Sequence, residues 1–416
     1  MDRHNRIHKL SNGITLLFEE TPWSETFAAY IAVPSGKNYE RDDKLGLATV
    51  TCEMTNRGAG PYNNRSFLEE FENLGLDSSE IASLESALFG STGLLENWER
   101  ALELLALQIL SPRFDEVELE DCKQVYCQEL AGIQDDPRAM TTCAIAELTL
   151  PRPWGRSPLG IEKLVENITI DEVRAFYSQY YRPNGTVIAL AGRIDWSAAI
   201  SKVEELFGSW QPVEVSPWTS TPSVESWRFI ERDISQTHFR LGYLAPTLGD
   251  PDFERSNAAI CVLSSGMSSR LFTEVREKRG LCYQVSASSY SFENLGAVFC
   301  YCGSSSDRAQ EALDVIVEEF DKLRVTSIQP EELDRVKIGM KSEVVMQRES
   351  PIRRVASMIS DWKILNRIRT LEETLEQINS VTCKAIDDYY SSRPLQKFNV
   401  VTLGKSPLEF PEDRLA

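Results

Sequence analysis

The feature that most constrains this chain is an internal repeat. The segment FDEVELEDCKQVYCQELAGIQDDP aligns without a gap on IQPEELDRVKIGMKSEVVMQRESP. Leu119 and Leu333, Lys123 and Lys337, Glu129 and Glu343, and Pro137 and Pro351 all lie 214 positions apart. A second block, ITIDEVRAFYSQYY against INSVTCKAIDDYY, runs 210 positions apart through Ile168/Ile378, Ala175/Ala385 and Tyr180/Tyr390. Such self-similarity implies two copies of one domain of about 200 residues, each long enough to bury its own core. Between the copies, residues 208–223 read GSWQPVEVSPWTSTPS, with Pro212, Pro217 and Pro222 among Ser and Thr and no helical or strand period. That composition marks a linker. The expected organisation is a first domain over residues 1–211, a linker over 212–224 and a second domain over 225–416.

Within the first copy, GITLLF and FAAYIAV have strand composition, and Asn12-Gly13 supplies turn chemistry at the start of the first. Trp98, Leu102, Leu105 and Ile109 recur at helical spacing up to the stop at Pro112. Thr169 with Glu172 forms a capping box for a helix through Tyr181, and GTVIALAG then reads as a buried strand. Strands, then helices, then a strand in each half predict the α+β class. Each domain is then a largely antiparallel sheet with helices packed on one face.

The 416 residues carry 44 Lys+Arg against 63 Asp+Glu, a net charge of −19. No window concentrates basic residues, so nucleic acid is excluded as a partner and the global field favours cationic or neutral ones. The N-terminal MDRHNRIHKLSNG lacks the apolar run of a signal peptide, and no stretch is apolar enough to span a membrane. The expectation is a cytoplasmic chain without membrane contact. Its nine scattered cysteines fit reduced thiols. Three histidines, His4, His8 and His238, are few for a histidine-ligated metal, and the i, i+4 pair His4/His8 reads as solvated at the terminus. SSGMSS lacks the glycine spacing of a phosphate cradle.

Two segments carry the chemistry. In residues 44–58, KLGLATVTCEMTNRG, the residues Gly46, Leu47, Ala48, Met54 and Gly58 frame a helix on which Thr49, Cys52 and Glu53 hold three significant positions. Glu129 follows in ELAGIQDDP. The segment resembles the zinc helix of the pitrilysin/insulinase-like metallopeptidases, inverzincins whose G-L-A-H-x-x-E-H-M pattern supplies two imidazole ligands and a glutamate base. Here the H-x-x-E-H run is replaced by Thr49-Val50-Thr51-Cys52-Glu53, so both ligands and the base are absent. Zinc chemistry needs neutral imidazoles to hold the ion and a carboxylate to take a proton from its water. Glu129 stands at the position of the third ligand and is expected to persist as a structural carboxylate. Cys52 and Glu53 are adjacent on the helix and diverge by about 100°, which argues against an improvised metal site with Glu129.

The second segment, SSGMSSRLFTEVREKRGLCYQVSASS at 264–289, closely resembles the family's G-G-M-S-S-R-L-F-x-x-V-R-E-K-x-G-L-x-Y run, including its arginine and tyrosine. These are Arg276 and Tyr283. From the residues alone, Ser268 or Ser269 caps a helix through Lys278, Gly280 ends it and CYQVSASS leaves as a strand. In the family such a pair reaches the substrate backbone beside the zinc, where fixed donors stabilise a developing oxyanion.

The resemblance spans nearly the whole chain. It implies two homologous domains that form half of a clamshell, closed by a second chain that is identical or different. In two-chain members such as mitochondrial processing peptidase, one subunit carries zinc and the other lacks it. By that resemblance this chain is a non-catalytic, substrate-binding subunit of a heterodimeric zinc metallopeptidase acting on peptides. It holds no metal or other cofactor, and a zinc-bearing homologous subunit is its partner. Arg276 and Tyr283 hold the substrate backbone at the partner's zinc, and the chain alone hydrolyses nothing. The alternative is a non-peptidase scaffold or interaction protein of the same fold.

Overall fold

The computed structural model describes residues 5–156, 159–216, 218–393 and 396–416. His4 lies outside them. The chain divides into two compact units. Unit 1 comprises Met1–Gly132, Pro158–Thr219 and Gln347–Ile368, and unit 2 comprises Ile133–Ser157, Ser220–Met346 and Arg369–Ala416.

Unit 1 contains β1 (Asn5–Lys9), β2 (Thr15–Glu20), β3 (Thr26–Val33), a short hairpin of β4 (Gly58–Ala59) and β5 (Tyr62–Asn63), then β6 (Asp77–Ala82), β7 (Ala87–Leu94) and β8 (Val187–Gly192). Its six-stranded sheet has the order β1-β2-β8-β3-β7-β6, with β2 and β8 parallel and every other pair antiparallel. Unit 2 contains β9 (Trp227–Glu231), β10 (Gln236–Ala245), β11 (Cys282–Ser291), β12 (Gly296–Ser305) and β13 (Asn399–Gly404) in the order β11-β12-β10-β13-β9. Only β9 and β13 are parallel there. Apart from β1, the two sheets share order and direction, with β2, β8, β3, β7 and β6 answering to β9, β13, β10, β12 and β11. The repeat read from the sequence is therefore a repeat of topology.

Several local expectations hold. The helix Trp98–Leu110 ends before Pro112, the capping box of Thr169 and Glu172 is complete, and β8 is buried at every position. His8 departs from its expectation. It sits inside β1, within 3.1 Å of Glu204 and edge-on to Trp196, because the strand begins already at Asn5.

Strand alternation sends side chains to both faces of each sheet. In unit 2, Phe239, Leu241, Val298, Cys300 and Val400 face a core shared with the helices Phe253–Ser264, Ala309–Val325 and Cys383–Ser391. This is the single helical face expected from the sequence. The opposite face carries a layer that was not expected, a helix taken from the other half of the chain. Pro137–Thr149 packs on β10 and β13 in unit 2, where Ala144, Ile145 and Leu148 meet Val401 and Phe299. Reciprocally, Pro351–Leu365 packs on β3 and β8 in unit 1, where Val355, Met358 and Ile359 meet Ala28, Ala32 and Ala189. Both helices start at the prolines matched in the repeat, a residue suited to the first helical turn. The exchange crosses the contiguous division at residues 212–224.

Candidate functional site

The helix Leu47–Asn56 carries the segment that resembles a zinc helix in sequence. Gly46 precedes it with φ +107, and a Cβ there would come within 2.5 Å of Val165, so a side chain would be both strained and crowded. Glu40 Oε1 accepts the N–H groups of Gly46 and Ala48 at 3.1 and 2.7 Å, satisfying donors that the helix start leaves open. Leu47, Ala48, Val50, Cys52 and Met54 are all buried, which fixes the helix firmly.

The side chains on this helix do not fit a zinc ion. Thr49 offers only a neutral hydroxyl. Cys52 is 2% exposed, and burial, reinforced by Glu80 and Glu53, pushes its thiol far up, so it stays protonated. Glu53 accepts from Arg57 at 3.1 Å, and the same guanidinium lies 3.7 Å from Glu118. Glu129 is on the exposed side of the helix Glu116–Gln134. Among the described residues no group of three or more His, Cys, Asp or Glu side chains is arranged to hold a metal ion. The acids around the helix are balanced by the fixed cation Arg57, which lies one helical turn past Glu53. That i, i+4 spacing is a sequence signal for the pair.

One acid stays out of balance. Glu80 on β6 accepts from the Asn56 amide at 3.0 Å, and burial together with the Glu53 charge raises its carboxyl to about 7. Burial and Glu53 likewise push the neighbouring Cys122 thiol up to about 12.

In unit 2 the structure brings Arg276 and Tyr283 into contact. The backbone departs twice from regular geometry to do so. Phe272–Glu277 winds as a π-helix in place of the expected α-helix through Lys278, with the N–H of Lys278 donating to Thr273 O at 2.9 Å. Single π-turns of this kind cluster at functional positions. Gly280 then takes φ +58 and closes the turn through Gly280 N–H to Arg276 O at 3.0 Å and Leu281 N–H to Val275 O at 2.9 Å. Arg308 clamps the turn, donating to the carbonyls of Gly280 and Arg279 at 3.1 and 2.8 Å.

The second irregularity follows at once. Cys282 pairs with Ser304 and Gln284 with Gly303, so Tyr283 is the extra residue of a β-bulge. Cys282 faces the core and Gln284 the opposite side, and the bulge turns Tyr283 outward to 81% exposure. The Arg276 Cζ lies 4.9 Å from the Phe272 ring centroid and 5.1 Å from that of Tyr283. The guanidinium is thus held between two aromatic faces. Glu274 is spent on Lys278 and Arg279, and among the described residues Arg276 joins no ion pair. A cation fixed by rings and free of a carboxylate keeps its five N–H donors for another acceptor. The sequence supplied the pair, but not the ring of Phe272 at i−4 or the two backbone irregularities.

Comparison with known proteins agrees with this architecture. Residues 15–155 match the family model described as insulinase (peptidase family M16), and residues 167–340 match that of the peptidase M16 inactive domain. An uncharacterized zinc protease of Rickettsia felis is 25% identical over 383 residues, covering 92% of this chain and 93% of its own. The uncharacterized zinc protease YmxG of Bacillus subtilis is 26% identical over 378 residues, with coverage of 90% and 92%. A crystal structure of a peptidase M16 inactive domain from Pseudomonas fluorescens superposes with a TM-score of 0.87 at 21% identity, covering 98% of this chain and 99% of that one.

Proposed function

We propose, for a chain that belongs to the insulinase-like peptidase family M16, that it is the zinc-free, substrate-binding subunit of a two-chain metallopeptidase. Arg276 and Tyr283 are its working residues. They donate hydrogen bonds to a carbonyl of a bound peptide, and they are fixed before the peptide arrives. Donors that need no reorganisation are the ones that stabilise developing negative charge best. The observation that carries this reading is the Arg276 guanidinium, stacked between Phe272 and an outward-turned Tyr283 and paired with no carboxylate among the described residues.

The first-half helix supports the same division of labour. With Glu53 engaged by Arg57 and Cys52 kept as a buried thiol, this chain neither holds an ion nor activates water. The metal and the general base come from a homologous partner carrying an intact H-x-x-E-H.

The test is reconstitution with such a partner. Arg276→Ala lowers kcat of the assembled pair about a hundredfold, the typical loss of one oxyanion donor. Tyr283→Phe lowers it about tenfold, corresponding to one net hydrogen bond. The zinc content, measured by mass spectrometry of the intact pair, stays at the wild-type level in both. Full activity of both variants would sink the substrate-holding role and favour a scaffold. Recovery of this chain as a stable homodimer that never takes up a zinc-bearing partner would do the same.

A further inference from the structure

The sheet face beneath the exchanged helix Pro137–Thr149 has an apolar half and a polar half. Where the helix covers it with Ala144, Ile145 and Leu148, the sheet offers Ile230, Phe299 and Val401. Around the start of the helix it offers Gln284, Tyr301, His238 and Arg240, all sent to that side by strand alternation and register. The Cζ atoms of Arg240 and Arg138 lie 4.8 and 5.2 Å from the Tyr301 ring centroid. His238 Nδ1 is 2.9 Å from the Tyr301 hydroxyl.

Among the described residues, no carboxylate pairs with either of these two cations. Arg240 is 9% exposed and donates to the hydroxyls of Thr142 and Thr141 at 2.6 and 3.3 Å, both neutral acceptors. Arg138 is exposed and donates to Gln284 Oε1 at 3.4 Å. Among the described residues neither guanidinium joins an ion pair. The field of Asp136 reaches His238 and Tyr301, but that carboxylate caps its own helix through the N–H groups of Arg138 and Ala139. A buried guanidinium without a carboxylate is costly. Burial holds Arg240 below its usual range for that reason, with the charge of Arg138 adding to the effect. A bound anion removes the cost.

The position of the cluster says which anion. Gln284, the residue that Arg138 touches, directly follows Tyr283, and strand residues advance by about 3.4 Å each. We infer that Arg138, backed by Arg240 and the Tyr301 hydroxyl, forms a carboxylate subsite. Its ligand is the C-terminal carboxylate or an acidic side chain of the peptide whose backbone Arg276 and Tyr283 hold. The inference rests on the peptide-holding role of that pair. It also gives a chain of net charge −19 a local cationic site that its global field does not announce. Guanidinium forks match carboxylate geometry, which suits Arg to the task better than Lys.

The experiment measures fluorescence anisotropy of the full chain with one extended peptide in four forms. Its C-terminus is free or amidated, and its one acidic residue is Glu or Gln. One carboxylate form binds about tenfold more tightly than its neutral counterpart, the size of one charge-assisted hydrogen-bonded pair. Amidation abolishes the preference if the C-terminus is the ligand, and Glu to Gln abolishes it if the side chain is. Arg138→Gln, at an exposed position, removes the preference while leaving the melting temperature unchanged. Equal affinities of the four forms for the wild type, including no measurable binding of any of them, would overturn the subsite, as would a preference surviving in Arg138→Gln. Arg276→Ala weakens all four forms alike and keeps the preference. If Arg276→Ala and Tyr283→Phe change nothing while the preference persists, the backbone-holding role fails and the subsite stands.

Discussion

The two exchanged helices occupy equivalent positions in equivalent sheets, yet the charges buried beneath them are handled in opposite ways. In unit 1, Arg354 of Pro351–Leu365 forms an ion pair with Glu19 of β2, and both residues are only 4% exposed. In unit 2, Arg240 of β10 meets hydroxyls, a carbonyl and the Tyr301 ring, and among the described residues it joins no ion pair. The two copies share a scaffold but not a charge balance. Unit 1 pairs the buried cation of its covering helix internally, and unit 2, which also carries Arg276 and Tyr283, holds a buried cation on its central strand that joins no ion pair among the described residues.

The largest expected effect tests that contrast directly. Arg354→Ala strands the Glu19 carboxylate in the interior and costs about 3–5 kcal/mol of unfolding free energy. Arg240→Gln leaves no carboxylate behind and costs no more than about 2 kcal/mol, the scale of lost hydrogen bonds. Chemical denaturation of both variants measures the difference. Equal losses would mean that Arg240 has a counter-charge after all, and the contrast would collapse. Replacing Arg354 and Glu19 together with Met and Leu recovers most of the stability, because a buried pair exchanged for apolar side chains is close to neutral.

A second contrast concerns sign. Unit 2 keeps a surplus cation, whereas unit 1 keeps a surplus acid in Glu80, bonded by an amide and lying beside Glu53. Its carboxyl rises from the ordinary 4.5 to about 7 on folding. Between those values the folded state retains a proton that the unfolded state has lost, so stability falls as pH rises through that window. The loss reaches up to about 3 kcal/mol above pH 7, since one unit corresponds to about 1.4 kcal/mol. Glu80→Gln removes that slope, making the variant more stable than wild type at pH 8 and similar to it at pH 4. Parallel stability curves for the two proteins between pH 4 and pH 8 would show that Glu80 ionises freely in the folded chain.

Much of this was legible in the sequence, for identifiable reasons. Repeats with constant spacing survive because they mark helix faces and turns used twice, so topology followed from Leu119/Leu333 and Pro137/Pro351. Caps and stripes are local and were read at Thr169, Glu172 and Trp98 through Ile109. The family segment gave Arg276 and Tyr283. What escaped was non-local or irregular. No spacing rule says that a helix opening at Pro137 packs in the unit built mainly from the second half. A π-turn and a bulge have no residue signature in TEVREKRGLCYQ beyond Gly280. The meeting of Arg138 with Arg240 across Tyr301 joins residues about a hundred positions and several elements apart, where only the pairing of strands creates a neighbourhood.

The smallest expected effect asks how far the two copies still share energetics as well as shape. Lys123 and Lys337 are matched in the repeat and do matching work. Lys123 Nζ donates to the carbonyls of Glu166 and Ile168 at 3.0 and 3.3 Å, and Lys337 Nζ donates to that of Asn379 at 2.9 Å. Each tethers a helix to the turn before the next capped helix. Their surroundings differ, since Lys123 is 8% exposed and binds two carbonyls while Lys337 is more open and binds one. Lys123→Met therefore costs about 1–2 kcal/mol, because a buried carbonyl at Ile168 and a partly buried one at Glu166 lose their donor, and water does not readily replace it at the first. Lys337→Met costs less than about 1 kcal/mol, because water takes over the exposed carbonyl. Equal losses in denaturation would mean that the tether, rather than its burial, sets the energy, and that the copies have stayed closer than their buried charges suggest.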